Sequence, residues 1–238
     1  MRRTLPALVA LAIAAALAIP ATALAQAAVR AGPVRFTGGG TLVGVQPLGE
    51  FGEHVDVGGG VAGHGLLRLD RVGALALRFD GGFAVYGSER VRVNNPLTGR
   101  VSLEVETTNN IGMFGVGPQL MLPSGRVRPY ANAGVGLALF VTRSVLRGGD
   151  RNGTPFAETT NEQDANLAWT GGGGLYIPLA MRGRTVSLDV GARYHGNGTA
   201  TYLTEGGLVD NPDGTVTENP FRTRADFVAY HLGVSVGF

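Results

Sequence analysis

Phe227-Val228-Ala229-Tyr230-His231-Leu232-Gly233-Val234-Ser235-Val236-Gly237-Phe238 ends the chain and alternates from its first residue to its last. Val228, Tyr230, Leu232, Val234, Val236 and Phe238 share one parity; Ala229, His231, Gly233, Ser235 and Gly237 share the other. Successive side chains of a strand point to opposite faces. The segment therefore predicts a strand with one large apolar face and one small or polar face.

The opposite end reads differently. Met1-Arg2-Arg3 is basic, Leu5 to Ile19 is almost wholly Ala, Leu, Val and Ile, and Pro20-Ala21-Thr22-Ala23-Leu24-Ala25 carries a small-residue A-x-A pattern. This order predicts a secretory signal peptide over residues 1–25, cut after Ala25 and excluded from the fold. The apolar run falls short of the ~20 residues of a spanning helix. Later apolar runs, such as Gly134 to Val141, are short and glycine-interrupted. A chain of this kind crosses a membrane only as a closed barrel, because helices and closed barrels alone satisfy every backbone group in lipid.

Residues 26–238 form one domain in this reading. The chain has 39 glycines and no cysteine, which excludes disulfides and thiolate chemistry. Taking Arg2 and Arg3 from the 20 basic residues leaves 18 against 18 acidic ones. That balance gives no footprint for nucleic acid.

Eight alternating segments follow one another: Arg35 to Val45, His54 to Leu69, Leu75 to Ser88, Val101 to Leu122, Val127 to Val145, Ala165 to Leu179, Val186 to His195, and the closing segment. A distortion is expected at Asn109-Asn110, and Gly171 to Gly174 is read as backbone packing or a bulge. Connections near Asp70, Ser124 and Gly183 are short. Those near Gly49, Pro96, Gly153 and Pro212 are longer and polar, with extended loops over Arg147 to Gln163 and about Tyr202 to Phe221. Eight antiparallel strands then put every short turn and both ends of the barrel on one side and every longer loop on the other, as in outer-membrane barrels.

The two parities assign the faces. Leu75, Leu77, Phe79, Phe83, Leu137, Leu139, Trp169, Leu175, Val234 and Val236 share the bulky apolar side. An eight-stranded barrel has an interior only just wide enough for side chains, too narrow for that set, so these residues are expected to face lipid. Arg78, Asp80, Arg128, Asp189, Arg193 and His231 lie on the small, polar parity and are expected to pair as a charge network in the lumen, since buried charges need partners. Ser88 is placed on that same side.

These features resemble the outer-membrane protein β-barrel domain family, the small porin-like barrels that include the transmembrane domain of OmpA. The resemblance covers residues 26–238 and is architectural. It implies an all-β fold, an eight-stranded antiparallel up-and-down transmembrane β-barrel, in the bacterial outer membrane after export. It also implies outer-membrane lipid as surroundings and the barrel-insertion machinery as a partner, reading Tyr230 and the terminal Phe238. The periplasmic peptidoglycan-binding domain of OmpA-type proteins has no counterpart after Phe238, so that anchoring is not carried over.

No catalytic or metal-binding constellation stands out among His54, His64, His195 and His231. His231 and Ser235 share a face but sit four residues apart along the strand, too far for a direct hydrogen bond, and Gly171 to Gly174 lacks the Lys-Ser/Thr of a phosphate loop. The expectation is a monomeric barrel without cofactor or catalysis. Its role is mainly structural, or surface interaction through its extracellular loops with an unspecified ligand. The alternatives are a narrow channel for ions or small solutes and a secreted lipocalin-like binding barrel.

Overall fold

A computed structural model describes residues 36–94, 102–148, 155–179, 185–202, 208–210 and 216–238. The expected signal peptide, the turn at Arg182-Gly183-Arg184 and the loop centres near Pro96, Gly153 and Pro212 lie outside them. The strands are β1 (Phe36–Pro47), β2 (Gly58–Arg68), β3 (Leu75–Asn94), β4 (Ser102–Met121), β5 (Arg128–Gly148), β6 (Pro155–Leu179) and β7 (Thr185–Asn197). They continue with β8 (Thr199–Tyr202), β9 (Leu208–Asp210), β10 (Val216–Glu218), β11 (Phe221–Arg224) and β12 (Phe227–Gly237); a short helix, α1, covers Phe51–His54.

Eight strands close into an antiparallel barrel in the order β1-β12-β7-β6-β5-β4-β3-β2. The seam is the terminal segment itself: Thr37 pairs with Gly237 and Pro47 with Phe227, in register throughout. Phe36 and Phe238 exchange backbone hydrogen bonds of 3.4 and 2.8 Å. The ends of the barrel therefore meet beside the short turns.

The first of those turns is built around one carboxylate. Asp70 accepts backbone N–H bonds from Gly73, Ala74 and Leu75 at 3.0, 3.1 and 3.0 Å. Gly73 supplies the positive φ of 81° that the tight reversal needs. Replacing Asp70 with Ala strands these donors. The expected loss is about 1–2 kcal/mol, read as a lower urea midpoint for unfolding of the refolded protein.

Several strands differ from the sequence expectation. His54 belongs to α1, and β2 begins at Gly58. The irregularity expected at Asn109-Asn110 is a bulge in the partner strand. Val85 pairs with Asn110 and Gly87 with Asn109, leaving Tyr86 extra. The extra residue reverses the parity beyond it, so Ser88 turns outward with its partner Thr108, and Gly87 points in towards Asn109. Gly171 to Gly174 pairs without a shift on both sides and is no bulge. The stretch read as a loop over Arg147 to Gln163 is largely strand, because β5 runs to Gly148 and β6 starts at Pro155. The second long loop is framed by one antiparallel pair, with Tyr202 opposite Phe221, and contains another, with Val209 opposite Thr217. Polar, threonine-rich sequence misled here: above the barrel a ladder needs no apolar alternation to form.

β3, β4, β5 and β6 continue past the closed ring as one four-stranded sheet. β2 meets β3 only up to Val85, and β7 meets β6 only up to Ala168. The outward face changes chemistry on this extension. Arg90 pairs across the strands with Glu106 at 2.7 Å, and Arg143 pairs with Glu158.

Candidate functional site

Outward and inward positions differ sharply. Phe79, Phe83, Leu137, Trp169, Leu175 and Val234 are exposed on the outside. Leu75, Leu77, Leu139 and Val236 share that face, half-covered by neighbours. Trp169 and Tyr194 lie together on the outside with ring centroids 4.9 Å apart. Tyr230 is outward near the same end of its strand, and its hydroxyl donates to Gln46 at 3.3 Å. Phe36 and Phe238 approach to 6.4 Å at the turn end. Tyr230 and Phe238 are eight residues apart on one strand. At ~3.4 Å per residue and a ~40° tilt, the two aromatic levels stand roughly 20 Å apart, close to the ~25 Å apolar band of outer-membrane barrels.

The lumen is filled in layers. In its middle, Asp80 is shared by two arginines: Arg78 Nε donates to Oδ1 at 2.7 Å, and Arg193 Nη1 lies 2.6 Å from Oδ2. Arg78 Nη1 also donates to Gln119 Oε1 at 2.8 Å. A second knot forms around Asp189, which is wholly buried. The Tyr130 hydroxyl donates to its Oδ1 at 2.8 Å and sits 2.8 Å from His231 Nε2. Tyr130 and Tyr176 stack at 4.6 Å, and Arg78 lies over the Tyr130 ring at 5.8 Å. Of the six lumen residues picked from sequence, five join these two knots. Arg128 joins neither; it points in at the turn end with no ion-pair partner among the described residues. Gln119, His64 and Ser235 were missed as members, because their partners come from distant strands.

Glycine makes this packing possible. A Cβ on Gly174 would meet the Tyr130 hydroxyl at 2.6 Å, and one on Gly39 would meet the His64 ring at 2.5 Å. Both glycines sit directly across the ladder from those rings. The glycine-rich parity is thus the complement of a few large polar side chains.

Ser235, His64 and Asp189 stand in a row that sequence reasoning did not find. Ser235 Oγ is 3.0 Å from His64 Nε2, but His64 Nδ1 is 3.8 Å from Asp189 Oδ2, beyond a hydrogen bond. Nε2 is also shared with the Tyr176 hydroxyl at 3.4 Å. Ser235 is 2% exposed. The nucleophile–base–acid alignment that acyl transfer requires is not formed here.

Towards the loop end the lumen becomes apolar. Phe51, carried on α1, is fully buried in the mouth. It makes edge contacts with Tyr202, Tyr86 and Phe140 at 5.0, 5.6 and 6.1 Å. Val43, Val45, Ile111, Met113 and Phe227 complete this plug. His195 stacks on Phe227 at 4.6 Å just below.

A closed eight-stranded antiparallel barrel with bulky apolar side chains outside and paired charges inside has the architecture of a small outer-membrane β-barrel. Among solved structures, the chain is similar to a major outer membrane protein from Thermus thermophilus, with a TM-score of 0.40 and 15% identity over 85% of this chain and 99% of that one. It is similar to Ail, the attachment invasion locus protein of Yersinia pestis (TM-score 0.38, 11% identity, 85% and 96% covered). It is also similar to Neisserial surface protein A (TM-score 0.36, 16% identity, 85% and 97% covered). No family model and no curated protein matches the chain.

Proposed function

We propose that this chain is an integral outer-membrane barrel, exported by its signal peptide, with a mainly structural or surface-interaction role and no catalysis. The observation that carries the reading is the inversion of faces: Leu167 is 82% exposed and Trp169 54% exposed on the outside, while Arg78 and Arg193 are 5% and 8% exposed within. In water this arrangement wastes the hydrophobic effect on both faces. In lipid it satisfies both. Its immediate partners are then outer-membrane lipid on the apolar band and the barrel-insertion machinery at β12, with Tyr230 and Phe238 as the residues it reads.

The surface role rests on the projecting sheet. Beyond the ring, β3 from Gly87 has a ladder neighbour on one side and no second one among the described residues, whereas β8 lies against the facing edge of β6, with Thr201 N–H donating to Asp164 Oδ2 at 2.7 Å. An open edge such as that of β3 accepts an added strand from a partner. The aromatic plug around Phe51 supports a closed lumen over a conducting one.

The test is electrophoretic mobility in SDS of the refolded protein, unheated and boiled. The expected result is a heat-dependent shift and folding only in detergent or lipid. External protease on intact cells is expected to cut between the end of β5 and the start of β6. A water-soluble monomer without a shift overturns the reading.

A further inference from the structure

The turn end of the lumen carries a charge surplus. Arg68 closes β2 and Arg128 opens β5, and both line one cavity of about 40 Å³ with Thr37, Thr185, Ser187 and Ser235. Among the described residues no carboxylate side chain lines it. Asp70, two residues beyond Arg68, spends its carboxylate on the backbone of its own turn. Asp80 is already shared between Arg78 and Arg193 higher in the lumen. The Nε atoms of Arg68 and Arg128 are buried without a hydrogen-bond partner among the described residues.

Two guanidiniums facing one small cavity repel each other unless an anion lies between them. Arginine forks match the oxygens of phosphate in paired N–H bonds. Hydroxyls on the remaining walls offer further donors. The volume exceeds the ~10–15 Å³ that one water needs and suits a compact tetrahedral ion. We propose that the turn-side mouth of this barrel is an oxyanion site, with Arg68 and Arg128 as the clamp and a phosphate group as the ligand. The phosphate comes either as the free ion or as the headgroup of a lipid whose glycerol remains outside the ring.

The probe is inorganic phosphate, titrated calorimetrically into the full chain refolded in non-ionic detergent, with chloride at matched ionic strength as reference. The expected result is saturable binding of one phosphate, weakened at least tenfold in Arg68→Gln and in Arg128→Gln and unchanged in Arg71→Gln. Arg71 is an exposed cation of the neighbouring turn. Phosphate should also raise the thermal midpoint of the parent and of neither clamp variant. Without phosphate, both clamp variants should be at least as stable as the parent, because repulsion is relieved. Chain refolded in phosphatidylglycerol vesicles distinguishes the sources: a silent titration there assigns the site to the headgroup, and retained binding assigns it to the free ion. Absence of saturable binding in detergent, equal weakening by Arg71→Gln, or clamp variants less stable than the parent without phosphate overturns the proposal.

Discussion

Replacing Asp80 with Asn is expected to destabilise the folded barrel by about 3 kcal/mol, measured as the shift in urea unfolding of protein refolded in detergent. Breaking a buried pair from one side leaves uncompensated charge, typically worth ~3–5 kcal/mol. Here one carboxylate serves two arginines, at 2.7 and 2.6 Å. The lower end of the range applies because the Asp80 side chain keeps 22% of its exposure and Asn retains one acceptor oxygen. Arg78 keeps Gln119 after the change; Arg193 keeps no other ion-pair partner among the described residues. Arg193→Met in the Asp80→Asn background should therefore restore part of the loss, while Arg193→Met alone should destabilise. Additive losses in that double-mutant cycle would show that the two groups are not coupled.

That result would also explain what sequence revealed and what it did not. Parity in β3, β5, β7 and β12 was legible because each strand carries a long run in which large apolar and small polar residues alternate. It placed Arg78, Asp80, Asp189, Arg193 and His231 on one face without naming their partners. Pairing needs the register between strands, and register is a tertiary property. Tyr130 meets Asp189 across 59 residues of sequence and His231 across 101. The Tyr86 bulge was hidden because one extra residue leaves no compositional mark, only a change of phase. Phe51 sat in a connection rich in Gly, Pro and Glu, where a single aromatic has no periodicity to announce that it folds into the mouth. The projecting sheet was legible in part: the segments Val101 to Leu122 and Val127 to Val145 exceed the ~9–11 residues a crossing needs, which already implied projection beyond the membrane, whereas the start of β6 before Ala165 lacks the apolar alternation by which the spanning strands were found. The terminal segment was the most informative because it is the seam, in register with both β1 and β7 over its length.

Val234→Arg separates the membrane reading from any soluble one. Val234 lies midway between Tyr230 and Phe238 on β12, points outward and is 43% exposed. It pairs with Leu188 of β7 and Gly40 of β1, so no tight contact excludes a longer side chain; an added Cβ at Gly40 would meet nothing within 4 Å. If the outer surface faced water, an arginine here would change stability by no more than ~0.5 kcal/mol, as surface substitutions do. If it faces lipid near the midplane, the cost is ~2–4 kcal/mol. The measurement is the free energy of unfolding from phosphatidylcholine vesicles, with Val234→Leu as a reference that should stay close to the parent. The same arginine placed at Ser88, outward but on the charged extension, should be tolerated. A penalty confined to the band between the two aromatic levels is what a bilayer imposes and what water cannot. A flat response at both positions would return the exposed apolar face to solvent and require a second protein to cover it.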